Sequence, residues 1–248
     1  MERVQLSDTI RINRYLSLSG VASRRAAEDL VRQGQVSVNG KRVTSLATTI
    51  NPHRDRVTVR GKVVHPVHKY RYLVMNKPRD AISTARDEKG RRTVLSLVRS
   101  DERLFTVGRL DRNTTGVILL TNDGELAHRL MHPSTKIEKA YAVTCDRAVD
   151  PRHIEQLRSG LVLDGRKTAP AQAVPIPGSK GKGVGIVLHE GRYRQVRRMF
   201  EELGYEVEKL DRVAYGPIGR RGLGRGESRH LTRAEIRQLK ALAGISEP

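Results

Sequence analysis

Four short apolar runs constrain the fold more than any other feature of the chain, and all lie after residue 70. They are Tyr72-Leu73-Val74-Met75, Val117-Ile118-Leu119-Leu120, Tyr141-Ala142-Val143-Thr144 and Val184-Gly185-Ile186-Val187-Leu188. Each has the length of a buried strand and is too short for a packed helix. Their spacing has no regular strand–helix–strand rhythm, so this part reads as α+β with a mixed, mainly antiparallel sheet. Helices fit between the runs. Asn122 caps 123–131, with Glu125 three residues on to complete a capping box. Residues 193–203 are helical and stop at Gly204, and Thr232 with Glu235 opens a last helix to Leu242. Residues 175–183 form a hairpin loop. Residues 216–226 (GPIGRRGLGRG) read as an unspecific backbone contact or a solvated surface.

Before residue 70 the pattern is finer. A short helix starting at Ile10 stops at Gly20. Ser23 caps a second one, 24–33, with Ala27, Leu30 and Val31 facing inward. Asn39-Gly40 between Val36-Ser37-Val38 and Lys41-Arg42-Val43 is a strong hairpin signal, and Arg60-Gly61 marks another. The expected organisation is a small domain over 1–64, a linker over 65–69 around Pro66, and a larger domain over 70–248.

Charge sets the partner class. Lys and Arg number 47 against 27 Asp and Glu, a net +20. That excess must be solvated or face polyanions, and nucleic acid is the leading candidate. With no Trp, two Phe and seven Tyr, an extended stacking platform for single strands is not expected. The charge should grip phosphates of a structured RNA or a duplex. Arg24 and Arg25 lie in the first turn of a helix, where the dipole disfavours cations; phosphate contact explains them better than solvation. A single cysteine, Cys145, leaves no internal disulfide or Cys-rich zinc site. No run approaches the roughly 20 apolar residues of a spanning helix, and the first residues lack a signal-peptide apolar core. A cytoplasmic location is expected.

The sharpest chemical segment is Gly108-Arg109-Leu110-Asp111-Arg112-Asn113-Thr114-Thr115-Gly116, abutting an apolar run. An extended backbone puts Arg109 and Asp111 on one face and Leu110 on the other. Asp111, flanked by two arginines, suits a nucleophile or base; a structural ion pair or Asx turn is the alternative. In residues 190–200, Val196, Met199, Phe200 and Leu203 form an apolar helical stripe, and Arg194, Arg197 and Arg198 lie on another side. Like charges at that spacing repel, so they face an acid: RNA phosphate, a catalytic carboxylate, or Glu201 and Glu202 on the same helix. Tyr141 either joins the core or turns its hydroxyl to a cleft. His128 and His132 have a metal-like spacing without the Glu of a zinc-protease motif, and no metal is expected.

Asn76-Lys77-Pro78, Gly108-Arg109-Leu110-Asp111, Leu120-Thr121-Asn122-Asp123-Gly124, Glu138-Lys139-Ala140-Tyr141 and the segment from Glu190 to Phe200 occur in an order that resembles the ribosomal small-subunit-type pseudouridine synthases, a family that also contains large-subunit rRNA enzymes. Residues 1–64, with Ser23-Arg24-Arg25-Ala26-Ala27-Glu28 and Val38-Asn39-Gly40, are similar to the small α-L RNA-binding domain of a primary-binding ribosomal protein. The resemblance implies isomerisation of uridine to pseudouridine in folded rRNA, with the target uridine flipped out and no cofactor. It implies that Asp111 is the catalytic nucleophile, Tyr141 the active-site tyrosine and Arg197 the basic partner of the aspartate. Lys77, Arg109, Arg194 and Arg198 join Arg24 and Arg25 as RNA contacts. Arg112-Asn113-Thr114-Thr115 departs from the commonest continuation after the aspartate, which bears on RNA contact and leaves the nucleophile intact. By analogy 23S rRNA is slightly preferred over 16S, the physiological partner is a ribosomal subunit precursor, no membrane is involved, and the protein is a monomer. A competing reading, resting on charge and the N-terminal domain alone, is a non-catalytic ribosome-associated RNA-binding or assembly protein.

Overall fold

The computed structural model describes residues 7–67, 69–84 and 90–245. The first six residues, on which part of the reading of the N-terminus rests, and His68 of the expected linker lie outside them. The chain divides into two compact units, Met1–Arg71 with Ser100–Arg103, and Tyr72–Arg99 with Leu104–Pro248.

In the first unit, β1 (Ile10–Arg11) runs into α1 (Ile12–Leu18) and pairs with β4 (Thr49–Ile50). The helix α2 (Arg24–Arg32) begins where expected, and Ser23 Oγ accepts from Ala26 N at 3.1 Å. The strands β2 (Val36–Val38), β3 (Lys41–Val43), β5 (Val57–Val59) and β6 (Lys62–Val63) form a sheet ordered β3-β2-β5-β6. Both expected tight turns are present, with positive φ at Asn39 and Gly40 and at Arg60 and Gly61, the geometry a two-residue hairpin requires. Ile12, Leu16, Ala27, Val31, Val36 and Val57 are buried together. Arg24 and Arg25 remain exposed.

The second unit is built on one large sheet. Its strands are β7 (Tyr72–Lys77), β8 (Phe105–Val107), β9 (Thr115–Thr121), β10 (Lys139–Cys145), β13 (Gln172–Pro175), β14 (Gly183–Leu188), β15 (Val207–Tyr215), β16 (Ile218–Gly219) and β17 (Ser228–His230). A separate hairpin joins β11 (Val162–Leu163) to β12 (Arg166–Lys167). The helices are α3 (Gly124–Met131), α4 (Pro151–Ser159), α5 (Gln195–Glu202) and α6 (Arg233–Leu242). The sheet order is β13-β14-β10-β15-β9-β7-β17. Its ladders are antiparallel except β15 against β9, which is parallel and only two pairs long, Asp211↔Thr115 and Arg212↔Gly116. The expected mixed, mainly antiparallel sheet is therefore present, and all four apolar runs are strands in it.

That parallel junction divides the sheet into halves with separate cores. Val143, Leu157, Ile186, Met199, Phe200 and Leu210 belong to one. Leu73, Met75, Leu104, Leu110, Ile118 and Leu120 belong to the other. Tyr141 packs against both.

Three local expectations are corrected. The cap of α3 is Asp123, not Asn122: its Oδ1 accepts from Glu125 N and Leu126 N, each at 3.1 Å, and its Oδ2 accepts from the Tyr72 hydroxyl at 2.8 Å. The α5 helix starts at Gln195 because Arg194 adopts left-handed backbone, φ +48°. The Gly/Arg segment is neither loose nor simply solvated. Arg225 and Arg220 pair with Asp211 at 2.7 and 3.3 Å, and Asn76 Nδ2 donates to Leu223 O at 2.7 Å. Burial pushes the Asp211 carboxyl up, but hydrogen bonds from Arg225 and Thr115 and the two arginine charges more than offset this, leaving it below its ordinary value.

The capping box of α6 is complete. Its Glu235 is buried and takes Arg229 in a two-pronged pair at 2.8 Å on each oxygen. The Arg229 hydrogen bond, against the cost of burial and aided by Thr232, lowers its carboxyl to about 2. The folded value lies below the unfolded one, so the stabilisation is present above pH about 4.5 and is lost as pH falls toward 2. Glu235→Gln is expected to cost on the order of 2–3 kcal/mol at pH 7. Urea unfolding across pH should show the gap to the unaltered protein closing below pH about 4.5, and a gap constant down to pH 2 would refute the assignment.

Candidate active site

One transverse row of the sheet carries the site. Ile186 pairs with Tyr141, Tyr141 with Arg212, Arg212 with Gly116, and Gly116 with Lys77. Two close contacts fix this row. A Cβ on Gly116, whose φ is +105°, would lie 2.2 Å from Arg212 O, so only glycine lets β9 and β15 meet there. A bulge between Ala140 and Tyr141 leaves Val213 of β15 unpaired, and a bulge re-aims the neighbouring side chain. Tyr141 is half-buried and lines a cleft.

The loop between β8 and β9 brings Asp111 to the same place. Leu110 is buried while Arg109 is exposed and Asp111 is intermediate, the alternation expected of an extended backbone. Ser83 holds Leu110 twice: its Oγ donates to Leu110 O at 2.9 Å and accepts from Leu110 N at 3.1 Å. Thr114 N donates to Asp111 O at 3.0 Å, and Asp80 N to Arg112 O at 3.0 Å. Lys77 completes the hold. Its ammonium donates to the carbonyls of Asp111, Arg112 and Thr114 at 3.0, 3.1 and 2.8 Å, and to Pro78 O at 3.2 Å.

The resulting cleft has a volume of about 280 Å³ and is lined by Arg109, Asp111, Tyr141, Tyr193 and Arg194 among others, just below the roughly 300–1,000 Å³ of common ligand pockets. Among the described residues the Asp111 carboxylate has no hydrogen-bond or ion-pair partner. Its flanking Arg112 instead pairs with Asp80 at 3.0 Å. The ion-pair and Asx-turn alternatives therefore do not account for this side chain.

The expected basic residues divide. Lys77 differs from the expectation: at 0% exposure it presents no surface to a strand and serves the loop backbone. Arg197 is buried, donates to Val207 O at 2.8 Å, and its Nε has no acceptor among the described residues. Burial lowers its guanidinium, the Arg194 charge adds to this, and the Asp111 charge opposes it. Arg197 thus feels Asp111 without an ion pair to it, because β15 backbone anchors its other end. Arg198 pairs with Asp164 and Arg194 with Glu201 at 3.6 Å, so acids of the protein answer two of the three like charges. Sequence reasoning missed Arg212, 2% exposed, whose Nε donates to Val117 O at 2.7 Å. It lies in β15, where two bulges break the alternation that would have marked the strand.

A half-buried carboxylate without a partner among the described residues, a tyrosine, buried arginines and a basic rim are the equipment of an enzyme class that acts on a polyanion at a fixed carboxylate. Comparison with known proteins gives the class a family. Residues 71–202 match the RNA pseudouridylate synthase family and residues 10–64 match the S4 domain. The chain is 42% identical over 238 residues to ribosomal large subunit pseudouridine synthase B of Bacillus subtilis (strain 168), covering 94% of this chain and 96% of that one. It is 41% identical to an uncharacterized RNA pseudouridine synthase of Aquifex aeolicus (strain VF5), covering 95% and 96%. A crystal structure of pseudouridylate synthase superposes with a TM-score of 0.68 at 31% identity, covering 93% of this chain and 99% of that one. The chain belongs to the RNA pseudouridylate synthase family, and its enzymatic class is that of an RNA pseudouridine synthase.

Burial pulls the Lys77 ammonium down to about 8, against the opposing charges of Asp111 and Asp80, with Arg212 lowering it further. Its charge is present below that pH and is lost above it in the folded protein. Turnover is expected to hold level from neutral pH to about 8 and then fall as the loop loses a charged donor. A pH–rate profile for pseudouridine formation checks this; a rate still rising at pH 9 would contradict it.

Proposed function

We propose that this protein isomerises one uridine of ribosomal RNA to pseudouridine in the cytoplasm, with large-subunit rRNA the favoured substrate. The observation that carries the reading is the Asp111 carboxylate, free of partners among the described residues yet held by a loop fixed on every side. The similarity to a large-subunit enzyme supports the choice of rRNA.

In this reading Asp111 acts at the sugar of a uridine flipped into the cleft. The N1–C1′ bond breaks, the base turns, and the C5–C1′ bond forms. C5 loses a proton and N1 gains one, so neither an oxidant nor an energy source is consumed. Tyr141 packs against the base and offers its hydroxyl for proton transfer. Arg197 supplies positive potential to the carboxylate. Arg109 and Arg194 guide the strand across the rim. Arg198, tied to Asp164, contributes to the field at the same edge. The segment 1–64 is an accessory RNA grip joined through 65–69 to the catalytic part, 70–248, with Arg24 and Arg25 on phosphates at the start of α2. Tethering a second site raises affinity without new contacts at the cleft. The enzyme acts as a monomer on a ribosomal subunit precursor.

Asp111→Asn is expected to lower pseudouridine formation in rRNA by at least about 10³-fold while RNA affinity stays within a few-fold. Mapping pseudouridines in both rRNAs from a deletion strain complemented with each version checks this. A site restored by the Asn variant at the unaltered rate would refute Asp111 as the nucleophile, and an unchanged map on deletion would refute the rRNA assignment.

A further inference from the structure

Tyr193 is the one aromatic among the exposed large hydrophobic residues of the described chain, at 74% exposure. It lines the same cleft as Asp111 and Tyr141. Its hydroxyl and ring have no partner among the described residues, so it serves neither the core nor a hydrogen-bond network.

The backbone on either side is pinned. Arg192 donates through its guanidinium to Arg166 O and Lys167 O at 3.0 and 2.7 Å, and its backbone N donates to Gln195 Oε1 at 2.9 Å. Glu190 accepts from Ala169 N at 3.1 Å and from the Gln195 side chain. Arg194, left-handed and paired with Glu201, closes the segment on the other side. A bare aromatic ring is thus held out on a fixed loop between two arginines, at the mouth of a cleft that takes one base. Flipping a uridine strips its neighbour in the strand of a stacking partner, and an aromatic face replaces that partner whatever the neighbour's identity.

We propose that Tyr193 is the stacking platform for the base next to the target uridine, a positioning residue that holds the strand while its neighbour is in the cleft. This rests on the reading of the Asp111 cleft as the uridine site.

The test compares the unaltered enzyme, Tyr193→Ala and Tyr193→Phe on an rRNA fragment containing the modified site. Matched fragments carry an abasic residue immediately 5′ or 3′ of the target. Tyr193→Ala is expected to raise KM about tenfold with kcat nearly unchanged, because losing one base stack costs about a factor of ten. Tyr193→Phe should behave as the unaltered enzyme. One of the two abasic fragments should cost the unaltered enzyme the same factor and Tyr193→Ala nothing more. An unchanged KM for the Ala variant, a Phe variant as impaired as Ala, or independent losses on both abasic fragments would overturn the proposal while leaving the uridine site in place. An unaltered enzyme that forms no pseudouridine in any rRNA would overturn the underlying reading and this proposal with it.

Discussion

One buried ammonium organises the catalytic end of this protein. Lys77 ends β7 with its nitrogen enclosed by four backbone carbonyls, three of them in the loop that carries Asp111. Hydrogen bonds to a charged donor are worth roughly 1.5–3 kcal/mol each, enough to offset part of the cost of burying the charge. The same residue pairs in register with Gly116, and Gly116 lies against Arg212 of β15. The row through Lys77, Gly116 and Arg212 therefore crosses the junction of the two halves and aims the Asp111 loop. The loop is held by its backbone, and among the described residues the carboxylate has no partner, which frees the side chain for chemistry.

The positive charge of the chain does several jobs. Part of it is structural: Lys77 holds backbone, Arg229 pairs with Glu235, and Arg225 pairs with Asp211. Another part forms an electrostatic environment inside the protein, where Arg197 and Arg212 are buried without an ion pair to a carboxylate among the described residues. Exposed side chains such as Arg24, Arg25 and Arg109 form a third part, open to phosphate. Only this last group matches the simple picture of a basic protein attracting nucleic acid. The scarcity of aromatics points the same way, since single residues at the cleft take the place of an extended stacking surface.

Much of this was legible in the sequence because the responsible features are local. The Asn39-Gly40 turn, the Ser23 cap and the Thr232–Glu235 box each lie within four residues. The apolar runs at Leu73, Ile118, Val143 and Ile186 are central strands, legible as continuous apolar stretches of strand length. What stayed hidden is long-range or irregular. The strand Val207–Tyr215 carries charge at Glu208, Lys209, Asp211 and Arg212, and two bulges spoil its alternation, yet it joins the two halves of the sheet. The role of Lys77 depends on carbonyls 34 to 37 residues away, which a lysine before a proline does not advertise. The cap at Asp123 rather than Asn122 turned on the hydroxyl of Tyr72, 51 residues earlier.

The central claim is that Lys77 acts by holding the Asp111 loop, without touching RNA. Turnover and RNA binding of Lys77→Met, measured together on protein confirmed to be folded, test it most directly. A loop displaced by about an ångström costs on the order of a hundredfold in rate, so kcat should fall by about that factor while RNA affinity stays nearly unchanged. Turnover at the unaltered rate, or a loss confined to RNA affinity, would contradict the account.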